Sequence, residues 1–193
     1  MNYGETNCLP FFMANKIIIL GNSSSGKSSL AQRIAEVYQI PCLDLDTIAW
    51  ESGLTPQRRS LDDACADIFN FVESNSHWII EGCYGNLIAL MSDYANKFIF
   101  LNPDINVCLH NCRQRLWESH KYDSLEAQNA NLDMLITWIK EYPHRDDEFS
   151  LSAHRQIFYT FNRQIFYTFK GEKVEYNDNW EEKVVFSWLN QLD

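Results

Sequence analysis

Short unbroken apolar runs alternate along the chain with stretches in which apolar residues return every three or four positions. The first run, Lys16-Ile17-Ile18-Ile19-Leu20, is β-branched and stops at Gly21, which predicts a central parallel strand buried on both faces. From Lys27 to about Gln39 the period becomes that of a helix, with Leu30, Ile34 and Val37 on one face. Ile40 to Leu45 reads as a second strand, with Pro41 at its start, where a missing donor is tolerated. Ser60-Leu61-Asp62-Asp63 has the form of a helix cap and predicts a helix to about Glu73 that turns Leu61, Ile68 and Val72 inward.

His77 to Glu81 is the third predicted strand, closed by Gly82, and Phe98 to Leu101 is the fourth, ended by Asn102-Pro103. A helix is expected from Asp104 past Trp117. Another spans roughly Leu125 to Tyr142, with Leu125, Leu132, Leu135, Ile136 and Ile139 at helical spacing and Pro143 as its stop. Lys173 to Tyr176 forms a fifth strand, and Asn177-Asp178-Asn179 offers caps for a last helix that buries Val184, Val185, Trp188 and Leu192. Strands alternating with helices imply right-handed crossovers and a three-layer α/β fold with a parallel sheet.

Composition narrows the picture. With 193 residues, 46% of them hydrophobic, the chain can bury one compact domain over residues 16–193, and residues 1–15 read as a loosely ordered extension. No apolar run approaches the roughly 20 residues that span a bilayer, and the start lacks a basic leading segment and a cleavage site. A net charge of -10 opposes direct nucleic-acid binding, so any phosphate recognition must be local. The 6 cysteines form no CxxC pair, which points to reduced thiols in a cytoplasmic protein. A tandem echo also stands out: Arg155-Gln156-Ile157-Phe158-Tyr159-Thr160-Phe161 recurs as Arg163-Gln164-Ile165-Phe166-Tyr167-Thr168-Phe169. In a helix such a shift turns the second apolar face by roughly 80°, so the two copies cannot pack identically. The echo either lengthens a helix before the fifth strand or supplies an aromatic surface for a homodimer.

The chemistry concentrates at Gly21-Asn22-Ser23-Ser24-Ser25-Gly26-Lys27-Ser28, followed by Ser29, between the first strand and the first helix. Gly21 and Gly26 permit backbone angles that let the amides from Ser23 to Ser28 turn toward an anion, at a helix end whose dipole favours negative charge. Lys27 would meet the β- and γ-phosphates of ATP, and the Ser28 hydroxyl would coordinate Mg2+. Asp44 and Asp46, two apart in a strand, would project from one face near the sheet's ligand-binding end. There Asp46 would accept a proton from an attacking hydroxyl and Asp44 would hold a magnesium-bound water, unless one of them merely caps a helix starting near Thr47. Glu81 would be a further acid at the metal, and Gly82 would let a substrate approach the backbone. Arg113 and Arg115, with Lys121, are candidates for a lid over about residues 113–124, and Arg58 and Arg59, after Gly53 and Pro56, for gripping an acidic or phosphorylated acceptor.

These motifs resemble the adenylate-kinase-like and shikimate-kinase-like P-loop kinases, and more closely the bacterial group labelled DNA topology modulation protein. The resemblance rests on IIILGNSSSGKSSLA at 17–31, LDLDTIAW at 43–50, WIIEGCYGN at 78–86, KFIFLN at 97–102, CLHNCRQR at 108–115 and WIKEYP at 138–143, and covers nearly everything from Lys16 onward. It implies a P-loop NTPase fold with a central five-stranded parallel sheet, ATP and Mg2+ at the glycine-rich loop, and an acceptor pocket near Asp46, Arg58 and Glu81. The chain departs at Asn111, where such relatives tend to carry an arginine, leaving Arg113 as the substitute. The expected activity is transfer of a phosphoryl group to a small-molecule acceptor. The alternatives are a nucleotide-dependent regulatory protein with slow hydrolysis and a nucleoside monophosphate kinase.

Overall fold

The computed structural model describes residues 15–51, 57–117, 123–161 and 171–190. Strands β1 (Lys16–Gly21), β2 (Cys42–Asp44), β3 (Trp78–Gly82), β4 (Lys97–Leu101) and β5 (Glu172–Tyr176) form one five-stranded sheet, ordered β2-β3-β1-β4-β5. Every neighbouring pair runs parallel. Because strand side chains alternate between faces, β1 feeds two cores at once. Ile18 and Leu20 join Ile80, Phe98 and Phe100 on the face covered by helices α2 (Leu61–Ser74), α3 (Gly85–Met91) and α7 (Leu151–Thr160). Ile17 and Ile19 join Ile79, Ile99 and Leu101 under α1 (Lys27–Tyr38) and α8 (Glu182–Asn190). The result is the expected three-layer α/β arrangement, in which all strands deliver their carboxyl ends to one side.

A third, smaller core lies where α4 (Ile105–Arg113) packs on α6 (Leu132–Glu141) through Cys108, Leu109, Cys112 and Ile139. Here the helices are shorter than their periodicity suggests. The helix expected to run past Trp117 closes at Arg113, where the Gln114 amide bonds to both the His110 and Asn111 carbonyls. The single helix expected over 125–142 breaks at Asn131 into α5 (Leu125–Ala130) and α6. Asn131 donates its side-chain amide to the Ala127 carbonyl, the kind of local bond by which short polar side chains compete with helix continuation. The α3 helix was not anticipated, because Gly85 opens it and reads as loop. That glycine is required by packing, since a Cβ there would lie 2.4 Å from the Glu148 carbonyl oxygen.

Three residues expected inside are exposed: Val37 (46%), Leu61 (45%) and Val184 (49%). The α1 stripe centres on Leu30, Ala31 and Ile34, which leaves Val37 off the face. Leu61 is the first residue of α2, a turn short of buried Ala64, and Val184 points away from the α8 stripe of Val185 and Leu189. Leu192 lies outside the described residues, as do the second copy of the echo and nearly all of the amino-terminal extension. Of the first copy, Phe158 and Phe161 are buried against Phe98, at ring distances of 5.8 and 5.1 Å, while Tyr159 is exposed. Among the described residues no helix is long and apolar enough to cross a membrane, and the described cysteines are free thiols.

Candidate functional site

The turn from β1 into α1 begins at Gly21, which β4 approaches so closely that a Cβ would sit 2.2 Å from the Leu101 carbonyl oxygen. Gly26 adopts φ 93 and Ser24 φ 59, left-handed values that wind the loop back on itself. Asn22 organises this turn. Its backbone carbonyl accepts from Lys27 Nζ at 2.8 Å and from the Ser25 amide at 3.2 Å, while its side chain accepts from the Ser23 amide at 2.8 Å. Two of the amides expected to face an anion, Ser23 and Ser25, are therefore spent inside the loop. The hydroxyls of Ser24 and Ser25 are buried with no hydrogen-bond partner. Lys27 is buried at the first position of α1, with Ser28 and Ser29 following in its first turn.

Orphaned buried donors beside a buried ammonium and a helix amino end are what a phosphate would satisfy, so these residues fit a polyphosphate. Among the described residues no group of three His, Cys, Asp or Glu side chains could hold a metal alone.

The carboxylates after β2 are arranged differently from the sequence expectation. Strand β2 ends at Asp44, and Asp46 lies in a 3-10 turn over Leu45–Thr47 rather than in the strand. Asp44 caps that turn, its Oδ1 accepting from the Asp46 amide at 2.9 Å, so the two carboxylates do not project together from one strand face. A capping oxygen is worth more here than continued pairing because the first amides of the turn have no other partner. Asp46 instead meets Tyr84, whose hydroxyl donates to Oδ1 at 2.6 Å and accepts from Trp50 Nε1 at 2.8 Å. Glu81 is buried in β3 and pairs in register with Asp44, followed by Gly82. Burial pushes the Cys83 thiol up to about 12, with Lys27 opposing the shift and Asp46 and Glu81 adding to it, which puts all three charged groups within electrostatic reach of one sulfur.

Of the two arginines after β2, only Arg58 joins this cluster. Its guanidinium carbon lies 4.7 Å from the Tyr84 ring centre and 5.2 Å from that of Trp50. Arg59 is held elsewhere, donating to Asp67 at 2.7 Å and to the Ile48 carbonyl at 3.1 Å.

Searched by sequence, the chain matches no family model and no curated protein. By structure it is similar to the shikimate kinase of Acinetobacter baumannii in complex with shikimate, at 13% identity and a TM-score of 0.50, with 94% of each chain covered. The fold is that of shikimate-kinase-like P-loop proteins. Weaker likenesses are to the shikimate kinase of Bacteroides thetaiotaomicron (16% identity, TM-score 0.49, 92% of this chain and 96% of the other) and to a gluconokinase from Sinorhizobium meliloti 1021 (18%, 0.45, 78% and 93%).

Within this P-loop fold the lid candidates are the least assembled part. Arg113 is exposed and folds back to the Leu109 carbonyl at 3.4 Å, Arg115 is half-buried beyond the end of α4, and Lys121 lies outside the described residues, as do Gly53 and Pro56. It is Asn111 that touches the P-loop, donating to the Ser24 carbonyl at 3.2 Å and to Asn179 Oδ1 at 3.0 Å. Trp180 adds a bond from its indole N–H to the Gly26 carbonyl at 3.2 Å, and Asn22 donates to the Ile139 carbonyl at 3.3 Å. The roles of Trp50, Tyr84 and Trp180 were missed by sequence reasoning. Trp50 and Tyr84 sit inside the quoted motifs, whereas nothing in the sequence ties Trp180 to Gly26.

Proposed function

We propose that this protein is an ATP- and Mg2+-dependent phosphotransferase that acts on a small-molecule hydroxyl acceptor. The observation that carries the reading is the P-loop itself: a buried lysine and two partnerless buried hydroxyls in a left-handed turn at the start of a helix. Lys27 and the amides at the α1 end hold the β- and γ-phosphates of ATP. Ser28 would supply a hydroxyl ligand to Mg2+ and Glu81 would be a further acid at the metal, and the ion when bound would neutralise charge on the phosphate oxygens. Asp46 orients the acceptor hydroxyl and accepts its proton as the acceptor oxygen forms its bond to the γ-phosphorus and the bond to the β–γ bridging oxygen breaks, so that ADP leaves. Gly82 does not open onto an acceptor as expected, because the place of its missing Cβ is filled by Leu45, 3.0 Å away, and by Tyr84. Arg58, rather than Arg59, faces the acceptor, because Asp67 already holds Arg59. Arg115 or Arg113 closes over the transferring group. The free thiols support a cytoplasmic location.

Two variants test the assignment. Lys27→Ala is expected to remove most of the thermal stabilisation given by ATP with Mg2+, since a ligand that binds only the folded state raises apparent stability. An unchanged melting shift refutes the phosphate site. Asp46→Asn is expected to keep that shift while lowering acceptor-stimulated ADP formation by about a hundredfold or more. Equal activity removes Asp46 as the proton acceptor.

A further inference from the structure

The loop between β1 and α1 bends twice into left-handed backbone, at Ser24 with φ 59 and at Gly26 with φ 93. The carbonyls of these same two residues are held by side chains from distant parts of the chain. Asn111, near the end of α4, donates to the Ser24 carbonyl at 3.2 Å, and the Trp180 indole donates to the Gly26 carbonyl at 3.2 Å. In a planar trans peptide the carbonyl and the following N–H point opposite ways, so a carbonyl drawn outward turns the next amide inward. Left-handed residues set between right-handed neighbours make such amides converge on a concave anion site. The Ser25 amide accordingly faces into the loop, on the Asn22 carbonyl at 3.2 Å, and the Lys27 amide opens the α1 end, where no helical carbonyl is available to it. Ser24 needs the help most, because a residue with a Cβ is strained at positive φ and keeps such angles only where its surroundings impose them. Beside Gly26, Trp180 fills the space, with Nε1 3.0 Å from where a Cβ would be. Both hydrogens of the Asn111 amide are committed, to Ser24 and to Asn179 Oδ1 at 3.0 Å, so Asn111 keeps no donor for a nucleotide.

We propose that Asn111 and Trp180 are positioning residues for the polyphosphate chain, acting through the peptide planes of the loop rather than by touching the nucleotide. This rests on the phosphate reading of the loop given above and adds to it the residues that preset the loop's shape. With both carbonyls held outward, no carbonyl lone pair at these two positions opposes an incoming anion, and the loop need not reorganise on binding. Asn111 acts on the Ser24–Ser25 peptide and Trp180 on the Gly26–Lys27 peptide, so the two contributions are separable. Asn179 joins the pair, since it accepts from Asn111 and precedes Trp180 in the chain. One clasp thus brings the end of α4 and the segment between β5 and α8 onto the loop from outside.

The test measures, by calorimetry on the full 193-residue chain, the Kd for inorganic tripolyphosphate and for ATP, each with Mg2+. Asn111→Ala and Trp180→Phe are each expected to weaken both ligands by the same factor, about fivefold or more, because the lost bond lies at the phosphate end. Trp180→Phe keeps a ring against Gly26 and removes only its donor, and it carries the test if Asn111→Ala fails to fold. Ser24→Gly supplies the decisive background, since glycine takes the left-handed angle unaided. There Asn111→Ala is expected to cost less than about twofold, while Trp180→Phe keeps its full effect. A merely structural role would give Asn111→Ala the same effect in both backgrounds, and that result overturns the proposal. Weakening of ATP but not of tripolyphosphate also overturns it, because the side chains would then be contacting the nucleoside. If Lys27→Ala abolishes binding of both ligands and neither clasp variant changes it, the phosphate reading stands and the clasp falls. If the unaltered protein binds neither ligand, the phosphate reading itself fails and takes the clasp with it.

Discussion

His154 shows how much a single buried side chain can decide. Its Nε2 lies 2.9 Å from the Cys83 carbonyl, which can only accept, so the proton sits on Nε2 and the Tyr142 hydroxyl donates to Nδ1, also at 2.9 Å. The neutral form satisfies both ring nitrogens in this way, and burial lowers the pKa from 6.5 to about 4. A base with a depressed folded-state pKa stabilises the fold fully above pH 6.5 and loses that contribution as pH falls toward 4, where the unfolded chain takes the proton first. Urea unfolding at pH 7 and pH 5 is expected to differ by about 2 kcal/mol through this residue. In His154→Gln that part of the pH slope is expected to vanish, and an unchanged slope refutes the assignment. Gly21 makes a different single-residue demand. Gly21→Ala drives a methyl into the β4 backbone and is expected to cost about 2 kcal/mol or more, read from the urea midpoint.

At the level of elements, the central strands β1, β3 and β4 were legible because they are buried on both faces and mostly apolar. The helices were harder, since a stripe fixes a face but not its ends. Leu125 to Tyr142 keeps helical spacing across Asn131, yet one local side-chain bond divides it. Asp44 and Asp46 show the opposite problem: alternation placed both on a strand, whereas a cap and a 3-10 turn won locally. The glycine-rich loop was readable as a motif because its residues are consecutive, while Trp50, Arg58 and Tyr84 are brought together from separate elements, so that no one stretch of sequence displays the cluster. α7 offers a check on its packing. Phe158 is buried against Phe98 and Phe100, so Phe158→Ala is expected to destabilise by about 3–5 kcal/mol, measurable by chemical denaturation. A cost below 1 kcal/mol contradicts the described seating of the first echo copy.

Across the whole molecule, the sheet lines up the carboxyl ends of β1, β2 and β3, so groups far apart in sequence face one cleft side. The glycine-rich loop spans a few consecutive residues, but the bonds that hold it come from well downstream. Asn111, Ile139 and Trp180 reach it across separations of 87, 117 and 154 positions. On the ribosome, a nascent chain would display every residue of the loop long before the side chains that steady it had been made. The anchoring of the loop is thus complete only once Trp180 has been made, and a chain truncated just before Trp180 is expected to show a weaker thermal shift with ATP and Mg2+ than the 193-residue chain.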